Sequence, residues 1–292
     1  MSRKASALIA LCCAVAGVAL SACDEATESD SFAEDRVAFT GIQKIKVGER
    51  SVNVSCTGEP VEGRPVVVLL HGGGDDVGKL AGLQNTLAAQ GQVCSYDRLG
   101  AGASDQPDGP QSFESTGKIL TGVIDRVAGG KPVVLAGHSL GGLIAGRYAP
   151  DHQDRVKGLV LMDATSPTQT ADLRQHIPRS ATGMAAELRD QTLAVIAGQG
   201  PEKLVVPDGE VRPAGTIPVE VIQHGKPYLA AVPEYGAALE QAWSEGQRKW
   251  LALSSRGNLS TAANSEHYIY VDQPDLAVRA IQRVTDEAAK SS

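Results

Sequence analysis

The chain reads as an α/β domain, a mostly parallel sheet covered by helices on both faces. Three observations predict it. Apolar runs of strand length alternate with helical patterns through most of the 292 residues. Val66-Val67-Val68-Leu69-Leu70 is a continuous aliphatic run, as expected of a strand buried on both faces. Gly137-His138-Ser139-Leu140-Gly141 stands between an apolar run, Val133 to Ala136, and a small-residue helical stretch, Leu143 to Ala149, where a strand breaks sharply into a helix. With 42% apolar residues and no repeat, the length fits one domain of catalytic size.

The elements follow in order. Ile42 to Val47 and Ser51 to Cys56, around Gly48-Glu49, form an antiparallel hairpin at the sheet edge. The strand from Val66 to Leu70 ends at His71-Gly72-Gly73-Gly74. Leu80 to Ala89 is a helix, Val93 to Tyr96 a short strand, and Phe113 to Ala128 a helix closed by Gly129-Gly130. Val156 to Met162 is a buried strand ending at Asp163. From Ala164 to Gly215 five prolines break the pattern into short helical pieces such as Ala185 to Ala197, which reads as an insertion above the sheet. Val219 to Gln223 resumes the strands, Glu234 to Leu253 is a long helix, and Leu259 to Ala262 is the last strand. Pro274 opens a final helix that runs to about Ala289.

Residues 1 to 22 divide into a basic start with Arg3 and Lys4, an apolar stretch from Ala7 to Leu20 and a small-residue exit, the layout of an export signal. Leu20-Ser21-Ala22-Cys23 resembles the bacterial lipoprotein processing box, which would make Cys23 the acylated first residue of an envelope-anchored protein; an ordinary secretory signal is the alternative. Residues 23 to 38 are acidic at first, Ser-rich and aperiodic, and suit a tether, so the folded domain spans 39 to 292. The net charge of −7 disfavours nucleic acid or an anionic membrane surface as partner. Cys12 and Cys13 leave with the signal, so Cys56 and Cys94 remain as one pair in an oxidising compartment, predicted to be a disulfide, with two buried free thiols as the alternative.

The chemistry centres on Ser139. A strained, crowded strand-to-helix turn needs flanking glycines so that two backbones can approach while the hydroxyl stays exposed. Serine also needs a base, normally an imidazole held by a carboxylate. His267, in the stretch between the last strand and the last helix, is the histidine placed to serve it. The other five lie in the glycine turn (His71), inside the elbow (His138), or in loops and near strand ends (His152, His176, His224). The acid is open between Asp163, at the tip of the sixth strand, and Glu234, beyond the seventh. Backbone N–H groups of Gly73 and Leu140 are the candidates for stabilising an oxyanion. Asp97, Arg98 and Ser104 read as turn-shaping groups. No metal-ligand spacing and no dinucleotide loop occurs, so no cofactor is expected.

The motifs around Leu70 to Gly74, Cys94 to Ser104, Gly137 to Gly142, Leu159 to Asp163 and His267 to Pro274, taken in order, resemble the α/β-hydrolase-fold serine hydrolases. The resemblance covers about Phe39 to Ile281. It implies an eight-stranded sheet with a lid inserted after the sixth strand, at about 164 to 215, and an acyl-enzyme mechanism on a small-molecule substrate, with carboxylic ester hydrolysis foremost. A ligand-binding or receptor-like surface lipoprotein that keeps the fold without catalysis is the alternative.

Overall fold

The computed structural model describes residues 39–290. The signal, the Cys23 site and the tether therefore lie outside the described residues. Eight strands form one sheet: β1 (Gly41–Val47), β2 (Arg50–Thr57), β3 (Val66–Leu70), β4 (Val93–Tyr96), β5 (Val133–His138), β6 (Val156–Met162), β7 (Val219–His224) and β8 (Gly257–Ala262). Their order is β1-β2-β4-β3-β5-β6-β7-β8. Only the β1–β2 and β2–β4 pairings are antiparallel.

Alternation along each central strand divides the core into two layers, because successive side chains of a strand point to opposite faces. Val66, Val68 and Leu70 of β3 join Leu135, Leu159, Leu161 and Val221 under α2 (Phe113–Ala128) and α3 (Leu140–Tyr148). Val67 and Leu69 join Val134, Ala136, Val160 and Met162 against α1 (Val77–Leu87) and α8 (Pro274–Ala289). All five side chains of β3 are buried, which is why its sequence is unbroken aliphatic.

Local chemistry fixes the helix ends. Asp76 caps α1 by accepting from Gly78 N at 2.8 Å, so this helix begins three residues before its apolar pattern. Ser112 and Ser115 form a reciprocal capping box at the start of α2, and Gly129 ends it in the left-handed conformation. The helix expected over 234 to 253 is shorter: α6 spans Gly236–Lys249 and a tighter 3-10 turn, Trp250–Leu253, carries the fully buried Trp250 inward.

Between β6 and β7 the insertion holds α4 (Gln169–His176) and α5 (Gly183–Ile196). The strongly polar α4 shows little apolar periodicity in its sequence, so nothing there marks its bounds. Leu173, Ile177 and Ala185 pack with Val232 and Leu239 into a small core of their own. The short helix α7 (Ile269–Asp272) precedes α8. Cys56 and Cys94 lie directly opposite in the β2–β4 register and form a disulfide. Among the described residues no helix is long and apolar enough to cross a membrane.

Candidate active site

Ser139 is the single residue between β5 and α3. The strand runs two residues further than its apolar run and the helix starts at residue 140, so the whole reversal falls on one position with φ 50° and ψ −120°. A non-glycine residue there is strained. It is held because Ser139 N donates to Met162 O at 3.1 Å and Ser139 O accepts from Leu143 N and Thr165 N, both at 3.1 Å. The flanking glycines are required by close approach. A Cβ on Gly137 would lie 2.4 Å from Gly141 O, and one on Gly141 would lie 2.3 Å from Leu70 O.

Asp163 follows β6 and is also held at positive φ, 46°. Its side chain is completely buried. Oδ2 lies 2.7 Å from His267 Nδ1, which leaves Nε2 as the ring nitrogen free to face a nucleophile. Oδ1 accepts from Trp243 Nε1 at 2.9 Å and from His224 N at 3.1 Å. Burial pushes the carboxyl toward the neutral form, but the hydrogen bonds from His224 and His267 outweigh it and hold its pKa at about 2. Glu234 is exposed and makes no hydrogen bond to His267. The geometry therefore joins Asp163, not Glu234, to the imidazole.

His267 is fastened to the elbow by its neighbour. The His138 ring packs on the His267 ring with centroids 4.5 Å apart, and His138 Nε2 lies 2.9 Å from His267 O. Burial first, and then the adjacent His267, push His138 down to about 3, so it is neutral and donates that hydrogen bond. A buried neutral ring whose Nε2 is committed to the His267 carbonyl is a spacer, not a second base.

Opposite, His71 and the glycine turn form a rigid rim. Arg98 donates from Nη1 to His71 O at 2.6 Å and from Nη2 to Gly72 O at 2.8 Å. The same guanidinium pairs with Glu202 of the insertion at 2.7 Å. Asp97 accepts from Asn53 Nδ2 and Val77 N, each at 2.8 Å, and Ser104 Oγ donates to Asp97 O at 2.7 Å, so this loop braces the rim as its sequence suggested. Gly73 faces Leu140, since a Cβ there would stand 3.6 Å from Leu140 Cδ2. Leu140 is the first residue of α3, so its N–H has no intrahelical partner and points where the helix dipole favours negative charge.

In the sequence His224 is one more histidine near a strand end. It closes β7, and its Nδ1 lies 2.9 and 3.0 Å from the two oxygens of Asp163. Its Nε2 is 2.8 Å from Glu240 Oε2 on α6. Tyr228 stands between the rings, its hydroxyl 3.5 Å from His267 Nδ1. The available signal was position: β7 ends beside the carboxylate-bearing tip of β6, and sites in such sheets gather at the carboxyl ends of the strands. Among the described residues no group of three or more His, Cys, Asp or Glu is arranged to hold a metal ion.

Residues 65–197 match the family model of the alpha/beta hydrolase fold. The strand order above and the elbow at Ser139 accompany that match. The chain has the α/β-hydrolase fold. Solved structures of similar fold include a thermophilic esterase from Thermogutta terrifontis, with a TM-score of 0.59 and 19% identity over 85% of this chain and 98% of that one. The enol-lactonase of Burkholderia xenovorans LB400 has a TM-score of 0.58 and 21% identity over 84% of this chain and all of that one. The human (lyso)-N-acylphosphatidylethanolamine lipase is 34% identical over 146 residues, 47% of this chain; the chain spans 42% of that lipase.

Proposed function

We propose that this α/β-hydrolase-fold chain is an exported serine hydrolase that cleaves an ester-like bond of a small substrate through an acyl-enzyme on Ser139. The observation that carries the reading is the 2.7 Å Asp163–His267 contact, fastened through His138 to a strained serine elbow. Nε2 of His267 takes the Ser139 proton as Oγ attacks the carbonyl carbon. Asp163 holds the imidazole in the tautomer that receives that proton and stabilises the imidazolium. The N–H groups of Gly73 and Leu140 stabilise the oxyanion. His267 then protonates the leaving alcohol, and water, activated by the same imidazole, releases the acid.

Likeness to a lipase over 47% of the chain supports an acyl ester as the bond cleaved. An acyl anchor on Cys23 would keep the enzyme at the membrane by lipid alone; incorporation of labelled palmitate, lost in Cys23→Ser, tests this, and unlabelled wild-type protein contradicts it. The test of activity is a panel of p-nitrophenyl esters of increasing chain length. Turnover that vanishes in Ser139→Ala supports the proposal, and a folded protein that cleaves none of them overturns it.

A further inference from the structure

Asp163 carries two imidazoles. His267 Nδ1 lies on Oδ2 at 2.7 Å, and His224 Nδ1 lies on both oxygens at 2.9 and 3.0 Å. The far nitrogen of His224 meets a second carboxylate, Glu240 Oε2, at 2.8 Å. An imidazole with a carboxylate at each nitrogen has a donor role to fill on both sides, which only the imidazolium can do. Glu240 is not free to turn away, because its Oε1 accepts from Leu229 N at 2.5 Å and Ala230 N at 3.1 Å. His224 itself is buried.

We infer that His224 is a positioning residue: as an imidazolium clamped between Asp163 and Glu240, it shares the Asp163 carboxylate with His267 and sets how much of that charge acts on the base of the Ser139 reaction. The inference rests on the function proposed above. The physical step is charge competition. A lone carboxylate directs its full negative charge at one imidazole; with a cation already on its other side, less of that charge is left for the His267 ring.

The groups that face these two rings agree with this account. Around His224 they are Asp163 from β6, Glu240 from α6 and the Tyr228 ring, whose centroid is 4.8 Å away. Around His267 they are Asp163, the Tyr228 hydroxyl, the neutral His138 ring from β5, and Tyr268, whose hydroxyl bonds Asp75 and whose ring lies under Lys79. Burial works against a charge on His224, but the hydrogen bonds and charges of Asp163 and Glu240 prevail and its net shift is upward.

The experiment compares kcat/KM for a p-nitrophenyl ester across pH in wild type, His224→Gln and Glu240→Gln. Gln at 224 keeps a donor toward Asp163 without the charge. The midpoint of the acidic limb should rise by about one pH unit or more in His224→Gln. Glu240→Gln removes the acceptor at the second nitrogen of His224, so the imidazole 15N signals of His224 should move toward a neutral ring; it serves alone if the first variant does not fold, and signals unchanged from wild type overturn the inference. A residue that merely fills space would lower kcat and leave the midpoint in place, and that result overturns the inference. Imidazole 15N NMR of the wild type reads the charge independently of catalysis: both His224 nitrogens protonated at neutral pH is the expected result, and a neutral ring contradicts it. If the wild type cleaves no ester, the proposed function fails and the imidazole signals alone decide the charge on His224.

Discussion

The proposed catalytic assignment turns on which carboxylate serves His267. Asp163 is buried at 2.7 Å from its ring and Glu234 is exposed. Asp163→Asn should therefore lower kcat by about 10⁴, because the amide stabilises the wrong tautomer, while Glu234→Gln should leave kcat within about twofold; steady-state kinetics on both variants checks this. The same carboxyl couples to stability. Its pKa is depressed to about 2 from an ordinary value of 3.8, so the stability it contributes is present above about pH 4 and is lost as pH falls toward 2. His224 has the opposite sign. Its contribution is complete below the midpoint of a free imidazole, about pH 6.5, and is lost as pH rises through its own higher midpoint. At this scale the sequence was legible where the chemistry names its residue type: a serine in a glycine elbow, a histidine after the last strand. His224 and Glu240 were not, because nothing in a lone histidine and a helix glutamate reveals that β7 and α6 bring them onto one carboxylate.

At the scale of elements, the strands were readable from aliphatic runs, since full burial on both faces leaves only apolar side chains in β3; their order across the sheet was not, because it is set by how the helices cross over. Boundaries were less so. The elbow compresses a turn into one residue, which hides the end of β5 and the start of α3 inside a Gly-rich stretch without periodicity. The same crowding makes a prediction: Gly141→Ala should destabilise the protein by about 3 kcal/mol in urea unfolding, since its Cβ would meet Leu70 O at 2.3 Å, and an unchanged midpoint would remove the packing argument. The insertion was visible only as broken pattern, yet its Glu202 reaches Arg98, whose side chain is 2% exposed and whose guanidinium holds the carbonyls of His71 and Gly72. Glu202→Ala leaves that buried charge without its carboxylate and should cost about 3 to 5 kcal/mol. Chemical denaturation is the measurement, and a loss under about 1 kcal/mol would mean that solvent reaches Arg98.

For the whole molecule, the sheet, its two flanking cores and the Cys56–Cys94 link between β2 and β4 form the platform that holds the site. The cysteines are 38 residues apart in sequence, so opening the link should lower stability by about 4 kcal/mol in the chain-entropy account, read as the shift in denaturant midpoint on reduction or in Cys56→Ala/Cys94→Ala. The platform itself admits many reactions, and the reading as a hydrolase depends on one nucleophile. Incubation with a fluorophosphonate followed by intact-mass and peptide analysis tests that dependence most directly. A single adduct on Ser139 that disappears in Ser139→Ala is the result predicted; folded wild-type protein that takes up no reagent, or an adduct that persists in Ser139→Ala, would contradict it.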